Sequence, residues 1–196
     1  MELLKRYSAI NKHSLLIRHG DRDQIPAGSF GNEVLLNERG KENSIKFGKD
    51  LIGLKVNKIY TSPIGRCVQT AENIAFGYGT NIEIIETKVL GAPGLYIYDD
   101  KLAGDFFLAN GFGEAYNRFI NDLKIPGMLS KNLLKSKMTD YLRETTNEKG
   151  LTIYVTHDMF IAFYHYSMNK AVYTKENWIK FLSGLLLNDG KIEKRT

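Results

Sequence analysis

Short apolar runs that end in polar or charged residues recur along the chain, and runs of this kind are typical of buried strands. The first run, Leu15 to Ile17, is followed directly by Arg18 and His19. Similar runs occupy 58–61, 82–85, 151–155 and 185–187. Between them, apolar residues recur at helical spacing. Strands that alternate with helices predict a three-layer α/β/α fold with a mostly parallel central sheet.

The predicted helices begin with capping signals. Asn37 is the expected N-cap of a helix over 38–53, and the core-facing stripe of that helix is predicted to be Ile45, Gly48, Leu51 and Ile52. Ser62 followed by Pro63 predicts the start of the next helix, and we expect that helix to turn Cys67 toward the core. Further helices are predicted near 134–142, 159–166 and 174–181, and a hairpin turn at 188–191.

From 88 to 127 the pattern loosens into glycines, prolines and aromatic residues. Long irregular segments in compact proteins often form lids or binding loops. We therefore interpret 88–127 as a lid-like excursion containing at least one helix, near 114–123. The aromatic residues in it are predicted to pack in a core or to line a substrate pocket. The chain has neither repeats nor low-complexity segments, so residues 1–196 are predicted to form a single domain.

Charge and composition narrow the class of partner. The formal net charge is +5, which favours anionic partners such as phosphorylated metabolites. Lysines are scattered rather than clustered, so we expect no nucleic-acid partner, and no apolar segment is long enough to cross a bilayer. Residues 1–13 lack the apolar core of a signal peptide. The one cysteine, Cys67, excludes an internal disulfide and fits a reducing compartment, so we expect a cytoplasmic protein.

Polar side chains follow three of the predicted strands. Arg18, His19 and Arg22 follow the first strand, Arg66 the second, and His157 with Asp158 the fourth. Carboxyl ends of parallel strands meet at one edge of a sheet, where such folds bind ligands. Helical side chains lean toward the helix N-terminus, so Arg66 is predicted to point back at this edge. Arginines gathered around a histidine favour an anion, above all phosphate.

These residues, in this order, resemble the histidine phosphatase superfamily and its phosphoglycerate-mutase-like fold. The resemblance covers most of the chain. It is carried by four stretches: Leu16-Ile17-Arg18-His19-Gly20, Leu36-Asn37-Glu38-Arg39-Gly40, Tyr60-Thr61-Ser62-Pro63 through Arg66 to Thr70-Ala71, and Val155-Thr156-His157-Asp158.

The resemblance implies a role for each site residue. His19 would be the nucleophile and would form a phosphohistidine intermediate. Arg18 and Arg66 would clamp the phosphoryl oxygens, and His157 would donate to the same oxygens as charge develops. The resemblance implies no metal and no cofactor.

The proton donor distinguishes two branches of the resembled family. The mutase-like branch supplies a glutamate after the second arginine, and 88–100 contains none. The acid-phosphatase branch uses the aspartate of a His-Asp pair, which is present here. The resemblance therefore implies Asp158 as general acid and Arg22 as a further phosphate contact, with Glu86 in reserve. Asp158 is also a good helix cap whatever its chemistry.

The leading hypothesis is a phosphomonoester hydrolase that acts on a small or medium phosphorylated substrate. The alternatives are a phosphoglycerate-type mutase, which would return the phosphoryl group to substrate, and a non-catalytic phosphate-binding module. The absence of the glutamate counts against the mutase, and the set of Arg18, His19, Arg66 and His157 counts against the binding module. The sequence leaves the substrate and the oligomeric state open.

Overall fold

A computed structural model describes residues 11–188 and the backbone of 191–195. Its strands are β1 Lys12–Arg18, β2 Val56–Thr61, β3 Glu83–Glu86, β4 Gly150–Thr156, β5 Gly184–Asn188 and β6 Lys191–Arg195. Its α-helices are α1 Glu38–Asp50, α2 Gly65–Tyr78, α3 Asp100–Ile120, α4 Lys131–Thr145 and α5 Asp158–Asn169. The tip of the hairpin predicted at 188–191 lies outside the described residues.

The strands form one sheet in the order β3-β2-β4-β1-β5-β6. The four strands from β3 to β1 are parallel, and β5 and β6 add antiparallel pairs at one side. This arrangement confirms the predicted α/β fold with a mostly parallel sheet. Because β2, β4 and β1 are neighbours, the three polar junctions of the sequence lie side by side at their carboxyl ends.

Helices cover both faces of the sheet, as the alternation of side chains along β1 illustrates. Leu15 and Ile17 pack with residues of α1 and α2, such as Phe47 and Ile74. Leu16 points to the opposite face, where α3, α4 and α5 supply the core. Strand β4 is buried along its whole length, as expected for a central parallel strand.

The first two helices pack unusually closely. A Cβ atom on Gly48 of α1 would lie 2.1 Å from the Ile74 carbonyl oxygen of α2, and one on Gly77 would lie 2.0 Å from the Ile45 oxygen. Asn37 caps α1 as predicted, since its side chain accepts from the Gly40 amide at 2.9 Å. The predicted stripe was wrong at Ile52, which lies beyond the helix and is 64% exposed.

Three further predictions need correction. Helix α2 begins at Gly65 rather than at Pro63, because the Ser62 hydroxyl accepts from the Ile64 amide within a turn before the helix. The excursion carries a helix over 100–120, longer than the one predicted near 114–123, with a kink at Gly111. Segment 174–181 is not helical. Its Ile179 carbonyl accepts from the Arg18 side chain instead of from a helical amide.

Within the described residues, no helix combines the length and the apolar character that crossing a membrane requires.

Candidate active site

A cavity of about 590 Å³ opens at the carboxyl ends of β1, β2 and β4. Its polar lining joins residues from the three junctions: His19, Arg22, Arg66, His157 and Asp158. The parallel topology predicted from the sequence puts these side chains at one edge of the sheet, and the structure brings them together in one cavity.

His19 is fixed in one tautomer. Its Nδ1 lies 2.8 Å from the Gly20 carbonyl oxygen, to which it can only donate. Its Nε2 lies 3.1 Å from Nε of Arg66, which is always a donor, so Nε2 carries a lone pair. Burial, followed by the charges of His157 and Arg66, lowers the pKa of His19 well below its ordinary value. The imidazole is therefore neutral, with its unprotonated Nε2 facing Arg66 at the cavity.

The turn after His19 is held by Thr70 of α2. The Thr70 hydroxyl accepts from the Gly20 amide at 2.9 Å and donates to the Arg66 carbonyl at 2.7 Å. The His19 amide donates to the Thr156 carbonyl of β4 at 2.9 Å. These bonds tie His19 to both neighbouring junctions.

Arg66 connects the two histidines and a loop. Besides its contact with His19, its Nη2 lies 3.4 Å from Nδ1 of His157, and its Nη1 donates to the Gly31 carbonyl at 2.5 Å. The side chain is 5% exposed. Burial lowers its pKa from the ordinary arginine value, and the group remains a cation.

His157 has the opposite tautomer. Its Nδ1 faces the Arg66 donor, so the proton is on Nε2, 3.2 Å from the Ser62 hydroxyl. Burial and the Arg66 charge lower the pKa of His157 to about 3. A Cβ atom on Gly91 would lie 2.9 Å from this Nε2, so the chain passes close to the imidazole.

Asp158 accepts two hydrogen bonds and forms one ion pair. Its Oδ1 accepts from the Met159 amide at 2.9 Å, as the first residue of α5. Its Oδ2 accepts from Trp178 Nε1 at 3.0 Å and forms an ion pair with Arg18 Nη2 at 3.0 Å. Arg18 also stacks on Phe181, with 4.0 Å from its Cζ to the ring centroid.

Among the predicted site residues, Arg18 contacts Asp158 but does not line the cavity that contains His19. Its side chain is directed at Asp158 and Ile179 and lines a neighbouring cavity instead of the one that contains His19. Arg22 lies in the His19 cavity and donates to the Asp23 carbonyl. Glu86 is exposed at the end of β3 and is not part of the cavity lining.

Several site residues were not found from the sequence. Trp178 holds Asp158, Gly31 accepts from Arg66, and Asp100 supplies a second carboxylate to the cavity. Each comes from a loop or helix that no local motif connects to the junctions. Trp178 is the chain's single tryptophan, a signal that could have singled it out.

Cys67 is buried on the core face of α2 as predicted, with Sγ 3.6 Å from His157 Nε2. Burial raises the pKa of the thiol to about 12, so it is an unreactive packing residue. In the described part of the chain, no group of three or more histidine, cysteine, aspartate or glutamate side chains could hold a metal ion.

The sequence of this chain is similar to those of known proteins. Residues 14–90 match the model of the histidine phosphatase superfamily (branch 1), a stretch that contains His19 and Arg66 and ends before His157. The chain is 25% identical over 156 residues to the 2,3-bisphosphoglycerate-dependent phosphoglycerate mutase of Thermoplasma acidophilum, covering 74% of this chain and 70% of that protein. These matches support the resemblance of this chain to the histidine phosphatase superfamily.

Solved structures support the same fold. A phosphoglycerate mutase from Bacillus anthracis superposes with a TM-score of 0.62 at 14% identity, over 96% of this chain and 94% of that one. A phosphoserine phosphatase from Entamoeba histolytica, in complex with 3-phosphoglyceric acid, gives 0.60 at 16% identity, over 94% and 96%. The neighbours thus include both mutases and phosphatases.

Proposed function

We propose that the protein hydrolyses phosphate monoesters through a phosphohistidine at His19. The observation that carries the proposal is the neutral imidazole whose Nε2 lone pair faces Arg66 in the cavity. A phosphoryl oxygen of the substrate takes over the Arg66 hydrogen bond and leaves Nε2 free to attack phosphorus. Arg22 is the other arginine of the lining and neutralises charge that develops on the phosphoryl oxygens. His157 is a neutral ring, and it donates its Nε2 proton to these oxygens in place of its contact with Ser62.

The reaction has two displacements. Nε2 of His19 forms a bond to phosphorus while the bond to the leaving oxygen breaks, and Asp158 supplies a proton to that oxygen. Water then attacks phosphorus, the P–N bond breaks, and the proton of water returns to Asp158. The ion pair between Asp158 and Arg18 is released in this step, because a bound phosphate provides a competing partner for that guanidinium.

A phosphoglycerate-type mutase is the second candidate, favoured by the relative from Thermoplasma acidophilum. A mutase substrate carries a second anionic group, which needs its own cations. Among the described lining residues the only basic side chains besides the two histidines are Arg22 and Arg66, and Asp100 opposes a second anion. Hydrolysis therefore fits the lining better. The third possibility is a binding module without turnover, which would not need the lone pair on Nε2 of His19.

The test combines product analysis with covalent labelling. The purified protein is expected to release inorganic phosphate from 4-nitrophenyl phosphate without a bisphosphorylated primer, and to form an acid-labile, base-stable phosphoprotein. His19→Ala is expected to abolish both, with a rate loss of roughly 10³-fold or more, while the circular dichroism spectrum is retained.

Other outcomes assign the other functions. Interconversion of 2- and 3-phosphoglycerate that requires a bisphosphorylated primer identifies a mutase. Phosphate binding without turnover of any aryl phosphate from acidic to neutral pH identifies a binding module. Full activity in His19→Ala contradicts the phosphohistidine mechanism.

A further inference from the structure

One wall of the His19 cavity carries aromatic side chains, most of them from segment 88–127. One face of α3, spaced three and four residues apart, presents Asp100, Ala103, Gly104 and Phe107 to the cavity. Phe30 and Phe112 complete this wall. The three phenylalanine rings form a cluster, with centroids 6.2 Å apart for Phe30 and Phe112 and 5.1 Å apart for Phe107 and Phe112.

The backbone conformation around these residues fixes the position of the cluster. Gly111 has a φ of +75°, which only glycine adopts without strain, and this kink in α3 precedes Phe112 directly. Phe30 precedes Gly31, whose carbonyl accepts from Arg66. A Cβ atom on Gly104 would lie 3.8 Å from the tip of the Phe30 ring. The aromatic wall is thereby connected to the phosphate end of the cavity through Arg66.

Asp100 is the charged residue of this wall. Its carboxylate has neither an ion pair nor a hydrogen bond to the part of the chain that the structure describes, whereas Asp158, the other carboxylate of the lining, is engaged by Arg18 and Trp178. Asp100 is solvent-exposed, so its negative charge is available to a ligand. A carboxylate in a cavity wall that also carries phenylalanine rings favours an organic cation and disfavours an anion.

We infer that the preferred substrates are phosphate monoesters of an aromatic or apolar alcohol that carries an ammonium group, and that Asp100 and the Phe30–Phe107–Phe112 cluster determine this specificity. The inference rests on the proposed function, because the phosphoryl group at His19 anchors the ester and directs the remainder of the substrate along the cavity. The same wall disfavours esters whose alcohol portion carries a carboxylate or a second phosphate.

Three phenyl phosphates with short para substituents of different charge test the charge preference. They carry a 4-(aminomethyl), a 4-ethyl or a 4-(carboxymethyl) group, which are cationic, neutral and anionic at neutral pH. The values of kcat/KM are expected to fall in that order, by roughly three- to tenfold at each step. Asp100→Asn is expected to bring the three values within about twofold of one another.

Matched variants separate recognition from other roles. Asp105→Asn changes a carboxylate of the same helix that pairs with Lys101 outside the cavity, and it is expected to keep the wild-type order. Phe112→Ala, at a side chain that is 41% exposed, is expected to raise KM for all three esters. If Asp100 were a proton donor, its substitution would slow the three esters equally, since their leaving groups are of similar basicity.

The two proposals fail in different ways. Equal kcat/KM for the three esters in the wild type, or an unchanged order in Asp100→Asn, overturns the specificity and leaves the hydrolase intact. No turnover of any of the three overturns the hydrolase, and the substrate class falls with it.

Discussion

The Arg66 guanidinium determines the state of both histidines. It donates to Nε2 of His19 and faces Nδ1 of His157, so each ring presents a lone pair to a permanent positive charge. Protonation of either ring would place two cations in a buried space, and this is one reason why both pKa values are lowered. Under the proposed function, a bound phosphate dianion would offset this charge, so these donors would favour the anion that His19 attacks.

Asp158 is the residue whose role most needs a measurement. If it is the general acid, Asp158→Asn slows esters with poor leaving groups far more than activated ones, because an alkoxide must be protonated as it leaves. We expect a loss in kcat of about 10²- to 10⁴-fold for glycerol 2-phosphate and about tenfold or less for 4-nitrophenyl phosphate.

The second variant for this question is Trp178→Phe, which removes one donor to Asp158 and keeps the carboxyl group. It is expected to retain activity on both esters. Equal losses on both esters in Asp158→Asn would assign the proton donor elsewhere. Asp100, the other carboxylate of the cavity, would then be the next candidate, ahead of the exposed Glu86.

At the level of elements, the packing of α1 against α2 positions the second junction. Gly48 and Gly77 let the two backbones touch, and α2 starts with the turn that contains Arg66. A side chain at either glycine would have to displace a carbonyl oxygen of the facing helix, which is less compliant than a flexible side chain. The spacing of these helices therefore depends on the absence of a Cβ atom.

Gly48→Ala is expected to destabilise the protein by roughly 1–3 kcal/mol despite the higher helix propensity of alanine, because the added methyl group overpacks the contact. Gly113→Ala is the matched control: it is also helical, and a Cβ atom there meets nothing within 4 Å. That variant is expected to be more stable by up to about 1 kcal/mol. Urea unfolding measures both, and equal stability of Gly48→Ala and wild type would contradict the argument.

The elements also show what sequence patterns could predict. The strands and the capped start of α1 follow from local periodicity, and the shared carboxyl edge of β1, β2 and β4 follows from parallel topology. This information places His19, Arg66 and His157 at one edge, but only the structure shows that the three strands are neighbours. The helix predicted over 174–181 is wrong because the structure of this segment depends on contacts with residues distant in the chain. Ile179 and Trp178 bind Arg18 and Asp158, and the helical spacing of apolar residues contains no trace of either bond.

The same limit applies to the orientation of Arg18. The sequence places it at the correct sheet edge, and the resemblance implies a phosphate contact. Its direction is determined by an ion pair with Asp158 and by stacking on Phe181, residues 140 or more positions away along the chain. Competition between a carboxylate and a ligand for one guanidinium is a three-dimensional property, so a motif cannot encode which partner holds it.

For the molecule as a whole, two neutral histidines, the buried His19 and the half-buried His157, connect the site to stability. Both have folded-state pKa values below the ordinary value near 6.5, so the unfolded chain binds protons first as the pH falls. The folded state therefore loses stability through these groups below pH 6.5, and they contribute no pH dependence well above it. At acidic pH the site therefore lowers the free energy of unfolding, and the packing of the remaining core must offset this loss.

The consequence is measurable by urea unfolding between pH 7.5 and 5.5, a range in which most carboxylates stay ionised. Each of the two histidines is expected to lower the free energy of unfolding by about 1.4 kcal/mol at pH 5.5, and the two together by up to about 3 kcal/mol. His157→Asn is expected to lose roughly half of this pH dependence, because it removes one of the two groups and keeps a side chain that can hydrogen-bond. If wild type and variant have the same slope over this range, His157 is not buried in its neutral form.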